Sequence, residues 1–319
     1  MKQTPPGTID SVLIEARAPP LSDAPSRLSD YFRLTKPRMN VLIVSTTLVG
    51  VYVAAKVFSV SSSTALFTWA NALIAVHTIF GTAMTAASAS VFNQIIERDL
   101  DRRMRRTRNR PLAAGRLGVL ESTLFAAVMG IAGVVWLALG VNLLTALLGL
   151  ATLAIYTLVY TPLKRVSPWC TLVGAVPGAI PPMMGVTAID GTLSPLAWTL
   201  FAILMVWQMP HFFALAIMYK DDYAAGGFRM LPSCKNGDAR ARKEIILYSL
   251  LLVPVTFLPV FFSGASYLYG VSAALLGAWF LVRAFACRVP DLAKSNERKL
   301  FIFSIIYLPL LLAALMVDQ

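Results

Sequence analysis

Thr82-Ala-Met-Thr-Ala-Ala-Ser-Ala-Ser-Val-Phe92-Asn93-Gln-Ile-Ile-Glu97-Arg98-Asp99-Leu-Asp101-Arg102-Arg-Met-Arg-Arg106 runs from small, mostly apolar residues into a dense series of acids and arginines. Upstream the apolar part reaches back to residue 67, more than the roughly 20 residues a helix needs to cross a bilayer. The charged part cannot follow it into hydrocarbon. The stretch therefore reads as the end of a membrane helix emerging into water.

Eight further stretches read the same way, giving spans at 38–56, 67–93, 118–138, 141–161, 169–188, 196–219, 245–263, 267–285 and 300–317. Composition agrees. Of 319 residues, 57% are hydrophobic and 14% charged, with a mean hydropathy of +0.68. A soluble domain carries about 25% charged residues, so this chain lacks the charge to cover a water-facing surface. An ordinary cytosolic enzyme, a disordered chain and a disulfide-built secreted module are excluded. The expected fold is all-α: a polytopic membrane protein of nine transmembrane helices.

The net charge of +12 is a matter of topology. Connections near 57–66, 139–141, 189–195 and 264–266 contain no Lys or Arg, and of the 28 basic residues only Lys56 sits at that face. The rest fall in the N-terminal stretch, near 98–116, 162–168, 220–244 and 286–299, or at the adjoining helix ends. Basic residues are retained on the cytoplasmic side, so the N-terminus is predicted inside and the C-terminus outside. Nucleic acid is not an expected partner; the lipid bilayer is. Residues 1–34 read as a disordered cytoplasmic tail, with Tyr31–Lys36 lying along the membrane surface, and 35–319 as the membrane domain. Cys170, Cys234 and Cys287 show no CxxC spacing and read as free thiols.

Asn93, Glu97 and Asp101 recur every four residues. If the helix continues through them, each step rotates by only about 40°, so three oxygen-bearing side chains form one stripe while Asp99 points elsewhere. Stacked acids repel unless something positive lies between them. A divalent cation such as Mg²⁺, which takes carboxylate and amide oxygens and leaves positions for phosphate, meets that need; pairing with nearby arginines is the alternative. Arg102, Arg106 and Arg110 carry guanidinium forks suited to phosphate oxygens. A second acidic pair, Asp221 and Asp222, follows Lys220 at the same end of span 6. Both acidic groups thus face one side and are expected to flank a single cytoplasm-facing central cavity.

Asn93-x₃-Glu97-x₃-Asp101 with Arg106-Thr107-Arg-Asn-Arg110-Pro111 resembles the first signature of the intramembrane aromatic prenyltransferases, the UbiA-type superfamily. Tyr160-Thr-Pro-Leu-Lys164-Arg165, Gly174-Ala-Val-Pro-Gly178-Ala-Ile-Pro181-Pro182, Trp207-Gln208-x-Pro210-His211-Phe212 and Lys220-Asp221-Asp222-Tyr223 with Met230-Leu231-Pro232 extend the likeness to the branch that farnesylates protohaem IX. Glu97 stands where that pattern has Asp, and Cys170 where it has Asn.

The resemblance implies farnesyl transfer from farnesyl diphosphate to a vinyl group of protohaem IX, giving haem O and diphosphate. Haem is then a substrate, and Mg²⁺ the diphosphate-bound cofactor. It implies Asn93, Glu97, Asp101, Asp221 and Asp222 as metal ligands, with Arg110, Lys164 and Arg165 toward diphosphate and Tyr160 and Lys220 nearby. It also implies a place in the bacterial inner membrane and, as partners, haem A synthase or terminal-oxidase assembly proteins. A quinone-precursor prenyltransferase shares the first signature, and a secondary transporter is a further class.

His77, on an apolar helix, reads as a packing residue. His211 lies in a polar Gln208-x-x-His211 patch within the membrane. Two readings stay open for it: the haem iron or a propionate, or a structural bond to Gln208.

Overall fold

Apolar side chains cover the outside of this bundle and many hydroxyls sit inside it: Trp69, Leu124, Leu139 and Leu158 are exposed, whereas Thr78, Thr82, Thr85 and Ser88 are buried. Hydrocarbon, not water, is the solvent that matches such a surface. The structure, a computed structural model, describes residues 26–62, 68–290 and 294–318, which are helical with no strand among them. They form α1(Arg27–Leu34), α2(Pro37–Ser62), α3(Trp69–Asp101), α4(Val119–Gly140), α5(Leu143–Ala154), α6(Thr161–Leu163), α7(Cys170–Asp190), α8(Pro195–Met218), α9(Lys220–Ala225), α10(Gly237–Thr256), α11(Leu258–Phe262), α12(Tyr267–Ala286) and α13(Ser295–Asp318). Among the described residues, nine helical stretches are long and apolar enough to cross a membrane, as expected.

Small residues set the contacts. At Gly50 of α2 an added methyl would stand 2.1 Å from the Pro182 carbonyl oxygen of α7, and at Gly185 it would stand 2.1 Å from the Thr47 carbonyl oxygen. The two backbones touch, as small residues permit in membrane helices. The Thr78 hydroxyl donates to the Ile74 carbonyl four residues back (2.7 Å), and that of Ser88 crosses to the Ala126 carbonyl of α4 (2.7 Å). A crossing bond of this kind contributes about 0.6 kcal/mol on average.

Two features position the site. First, α3 does not stop near residue 93 but runs to Asp101, so the polar run remains helix. Second, the N-terminal segment is docked. Of residues 1–34, read as a tail, residues 1–25 lie outside the described residues, while Arg27–Leu34 form α1, capped by the Ser26 hydroxyl. Arg116 donates twice to buried Asp30 (2.8 and 3.0 Å), and Gln94 Nε2 donates to the Leu34 carbonyl (2.7 Å). Leu28 and Phe32 remain exposed on α1. At Lys36 the backbone takes φ +49° before α2 begins. For a residue with a Cβ this left-handed conformation costs roughly 1–2 kcal/mol, offset here by what its side chain reaches.

Candidate active site

The last turns of α3 bring Asn93, Glu97 and Asp101 onto one buried face, 1%, 3% and 1% exposed. Each meets a cation from a different part of the chain. Lys36 Nζ donates to Asn93 Oδ1 (2.8 Å), Lys164 Nζ to Glu97 Oε1 (2.8 Å) and the Arg110 guanidinium to Asp101 Oδ2 (2.7 Å). Asn93 Nδ2 also donates to the Thr161 hydroxyl (3.2 Å). Three cations thus face two carboxylates and an amide, a net positive site that suits a diphosphate.

A π-turn aims the Lys164 side. Over Ile155–Tyr160 the helix holds an extra residue per turn, so the Thr161 N–H bonds back to the Tyr156 carbonyl. Single π-turns interrupting α-helices recur at functional sites. Here the turn leads into Thr161, which meets Asn93, and Lys164, which meets Glu97. The Tyr160 ring lies against Gly174, where an added methyl would stand 2.4 Å from Tyr160 Cε2. Lys164 Nζ sits 4.4 Å from the centre of that ring.

Burial alone would strip the charge from Lys164. The Tyr160 oxygen and the Glu97 carboxylate oppose it and hold its pKa well above the ordinary lysine value. Lys36 lacks an equally close carboxylate; burial first, then the Arg110 charge, pull its pKa down to about 7.

The acids leave room for a metal. Asp101 Oδ1 is buried without a hydrogen-bond partner, and an oxygen in that state suits a hard cation shared with Glu97 and Asn93. Among the described residues, no three His, Cys, Asp or Glu side chains gather closely enough to hold an ion by themselves. The second acidic pair does not converge on the first. Asp221 is largely exposed and lies 3.5 Å from Lys294, and Asp222 Oδ1 accepts from the Arg105 backbone N–H (2.9 Å).

The remaining expected residues divide. Arg106 lies over the rings of Tyr219 and Tyr223 (5.3 and 5.8 Å). Arg102 turns to Asp99 and the Ala113 carbonyl, Arg165 to the Ile96 carbonyl, and Lys220 to Asp238. Gln208 and His211 do not pair: Gln208 Nε2 donates to the Ala175 and Leu204 carbonyls, while His211 Nδ1 meets the Ser304 hydroxyl at 2.7 Å. Three apart on α8, they face α7 and α13. The three cysteines are free, as expected.

Sequence reasoning missed Lys36. Its one local signal was a basic residue just before Pro37, the first residue of α2, and several topology anchors look the same.

The chain is similar along nearly its whole length to known proteins. It is 40% identical over 295 residues to "Protoheme IX farnesyltransferase" of Solibacter usitatus, covering 92% of this chain and 99% of that one. The solved structure described as digeranylgeranylglyceryl phosphate synthase superposes with a TM-score of 0.72 at 18% identity, covering 91% and 98% of the two chains. A UbiA homolog from Archaeoglobus fulgidus bound to GPP and Mg²⁺ superposes at 0.58 with 14% identity, covering 90% and 99%. The profile of the UbiA prenyltransferase family spans residues 43–306, a stretch that includes the acidic face of α3, Arg110 and Lys164. By sequence, by fold and by the helix that carries its acids, this chain belongs to the UbiA prenyltransferase family.

Proposed function

We propose that this chain transfers the farnesyl group of farnesyl diphosphate to a vinyl group of protohaem IX, with water supplying a hydroxyl, to give haem O and diphosphate. The observation that carries the reading is the partly buried set in which Lys36, Lys164 and Arg110 meet Asn93, Glu97 and Asp101. The 40% identity to a protein named protoheme IX farnesyltransferase narrows it to this acceptor.

Breaking the allylic C1–O bond leaves a carbocation and a highly charged leaving group. Lys164, Arg110 and Lys36 are placed to hand their donors from the α3 oxygens to diphosphate oxygens, which stabilises charge as it develops. Asn93, Glu97 and Asp101 would hold Mg²⁺, which when bound neutralises the departing diphosphate. Asp221 and Asp222, which now meet Lys294 and the Arg105 amide, would supply further carboxylate oxygens to such an ion. Arg102, Arg106, Arg165 and Lys220 enter as outer contacts to the diphosphate, and Gln208 as a contact to the acceptor. Phe228, whose ring centre is 5.8 Å from Lys164 Nζ, helps keep water from the carbocation.

The same reading makes 35–319 the transferase domain, with α1 docked on it and a central cavity opening toward the cytoplasm. It sets the N-terminus inside and the C-terminus outside the bacterial inner membrane. The product then passes to haem A synthase or terminal-oxidase assembly proteins. The one-sided distribution of Lys and Arg supports the orientation.

The test is direct. Membranes holding the chain, given farnesyl diphosphate, haem, 4-hydroxybenzoate and Mg²⁺, should yield haem O by mass spectrometry, and excess EDTA or Asp101→Asn should abolish it. Prenylated 4-hydroxybenzoate in place of haem O would overturn the acceptor, and undiminished transfer in EDTA would overturn the metal.

A further inference from the structure

The hydrogen bonds around His211 allow two placements of its ring hydrogen. Ser304 Oγ donates to the Phe301 carbonyl one turn back (2.7 Å), and the same oxygen lies 2.7 Å from His211 Nδ1. A hydroxyl has one proton. If that proton goes to Phe301, Ser304 accepts from the ring, Nδ1 carries the hydrogen and Nε2 keeps its lone pair, the arrangement the proposal below uses; if it goes to Nδ1, the ring hydrogen sits on Nε2. Nε2 has no hydrogen-bond partner among the described residues, and it is not one of their sealed-off, partnerless polar atoms. The ring is also fixed in direction. It stacks on Phe301 (4.6 Å between centres, 29° between planes) and on Trp207 (5.2 Å, 25°), and Trp207 Nε1 in turn donates to the Ser304 carbonyl (3.0 Å).

An imidazole with one nitrogen donating to an oxygen and the other reachable is the arrangement that metal-ligating histidines adopt; the second-shell oxygen fixes the tautomer and the ring plane. A histidine serving only to join two helices needs neither a reachable Nε2 nor aromatic rings holding its plane.

We propose that His211 Nε2 is an axial ligand to the iron of the porphyrin acceptor, and that Ser304 is the positioning residue that presents it. The inference rests on protohaem IX being the acceptor. The step is a coordinate bond: the Nε2 lone pair enters the iron, and no proton or electron moves. The iron bond orients the porphyrin from its metal, which peripheral contacts alone do not achieve.

The experiment uses the full chain in detergent micelles, titrated separately with ferric protohaem and metal-free protoporphyrin IX. Wild type should bind the iron form more tightly than the metal-free form by about 10- to 100-fold, the scale on which metal-site contacts act, with the Soret band and electron paramagnetic resonance of imidazole ligation. His211→Ala should lose that preference and that spectrum while still binding metal-free protoporphyrin, and added free imidazole should restore the spectrum. Ser304→Ala should keep the imidazole spectrum with an iron preference lowered by about tenfold. An unchanged spectrum in His211→Ala would overturn the ligand. So would parallel loss of both porphyrins in that variant, since that is what a purely structural histidine predicts. Should wild type bind neither porphyrin, the acceptor reading itself falls, and this inference with it. Should it bind both alike, only the inference falls.

Discussion

Lys164 and Glu97, 67 residues apart in sequence, form a 2.8 Å ion pair in which Glu97 is buried and Lys164 largely so, its side chain 13% exposed. The pair joins the segment after the π-turn to the acidic face of α3, and each member is also a candidate to bind substrate or metal. A buried pair is strongly destabilising to break from one side only. Glu97→Gln should therefore lower both thermal stability and farnesyl transfer, the latter by about a hundredfold. Glu97→Asp keeps the charge and should stay within about tenfold, roughly 1.4 kcal/mol of barrier. Equal losses in the two variants, measured as haem O formed per unit of folded protein, would show that reach matters more than charge.

Lys36 makes the empty site pH-sensitive. Its pKa near 7 means that it loses its proton as pH rises through neutrality, whereas an exposed lysine stays charged to about pH 10. A bound anion favours the charged form, so inorganic diphosphate should bind the metal-free protein more weakly at about pH 8.5 than at about pH 6. Lys36→Arg, charged throughout, should flatten that dependence. Isothermal titration across the range checks it; a wild-type affinity independent of pH would remove Lys36 from the site.

Gly174→Ala tests the backing of the Tyr160 ring. The added methyl would lie 2.4 Å from Tyr160 Cε2, so the ring must move, and Lys164 with it. Overpacking of this kind costs about 1–3 kcal/mol. The melting temperature in detergent should fall, and transfer should fall with it. Tyr160→Leu in the same chain should recover part of the stability but not the activity, because the cation above the ring is no longer supported. Full recovery of both would show that Tyr160 only fills space.

Thiol chemistry should separate two cysteines. Burial, then repulsion by the nearby Glu297 carboxylate, raises the Cys287 pKa to about 12, and the residue is fully buried. Cys234 is half-buried. A thiolate is the reacting species, so maleimide at about pH 7.5 should label Cys234 in the folded protein and reach Cys287 only after unfolding. Peptide mapping reads both sites, and early labelling of Cys287 would contradict the packing of α12 against α10 and α13.

The parts legible in the sequence were local in origin. Asn93, Glu97 and Asp101 repeat every four residues, so helical geometry alone puts them on one face, and the clustering of basic residues gave their end of the bundle. Lys164 and Arg110 were visible because each sits in a motif. Lys36 was not, because its contact with Asn93 spans 57 residues and depends on how α1 is docked. Gln208 and His211 were read as one patch because they lie three positions apart. On a helix that spacing also lets two side chains reach different neighbours, and the direction of each was decided by α7 and α13, which spacing does not encode. Asp221 and Asp222 were expected to flank one cavity with the α3 acids; their partners in the structure, Lys294 and the Arg105 amide, were not foreseen, and a backbone amide leaves no trace in composition.

The docking of α1 also carries a timetable. Asp30 and Lys36 are synthesised early, yet their partners Arg116 and Asn93 come 86 and 57 residues later. Until the chain reaches Asn93, Lys36 has nothing to hold it in its left-handed turn, and with the first two spans made the α3 face still lacks Arg110 and Lys164, two of its three cations. The Asp30 contact closes only after Arg116, in the loop before α4, is made, and the three cations are complete only at Lys164, two spans later. Until then the chain lacks part of the set on which the proposed diphosphate binding rests.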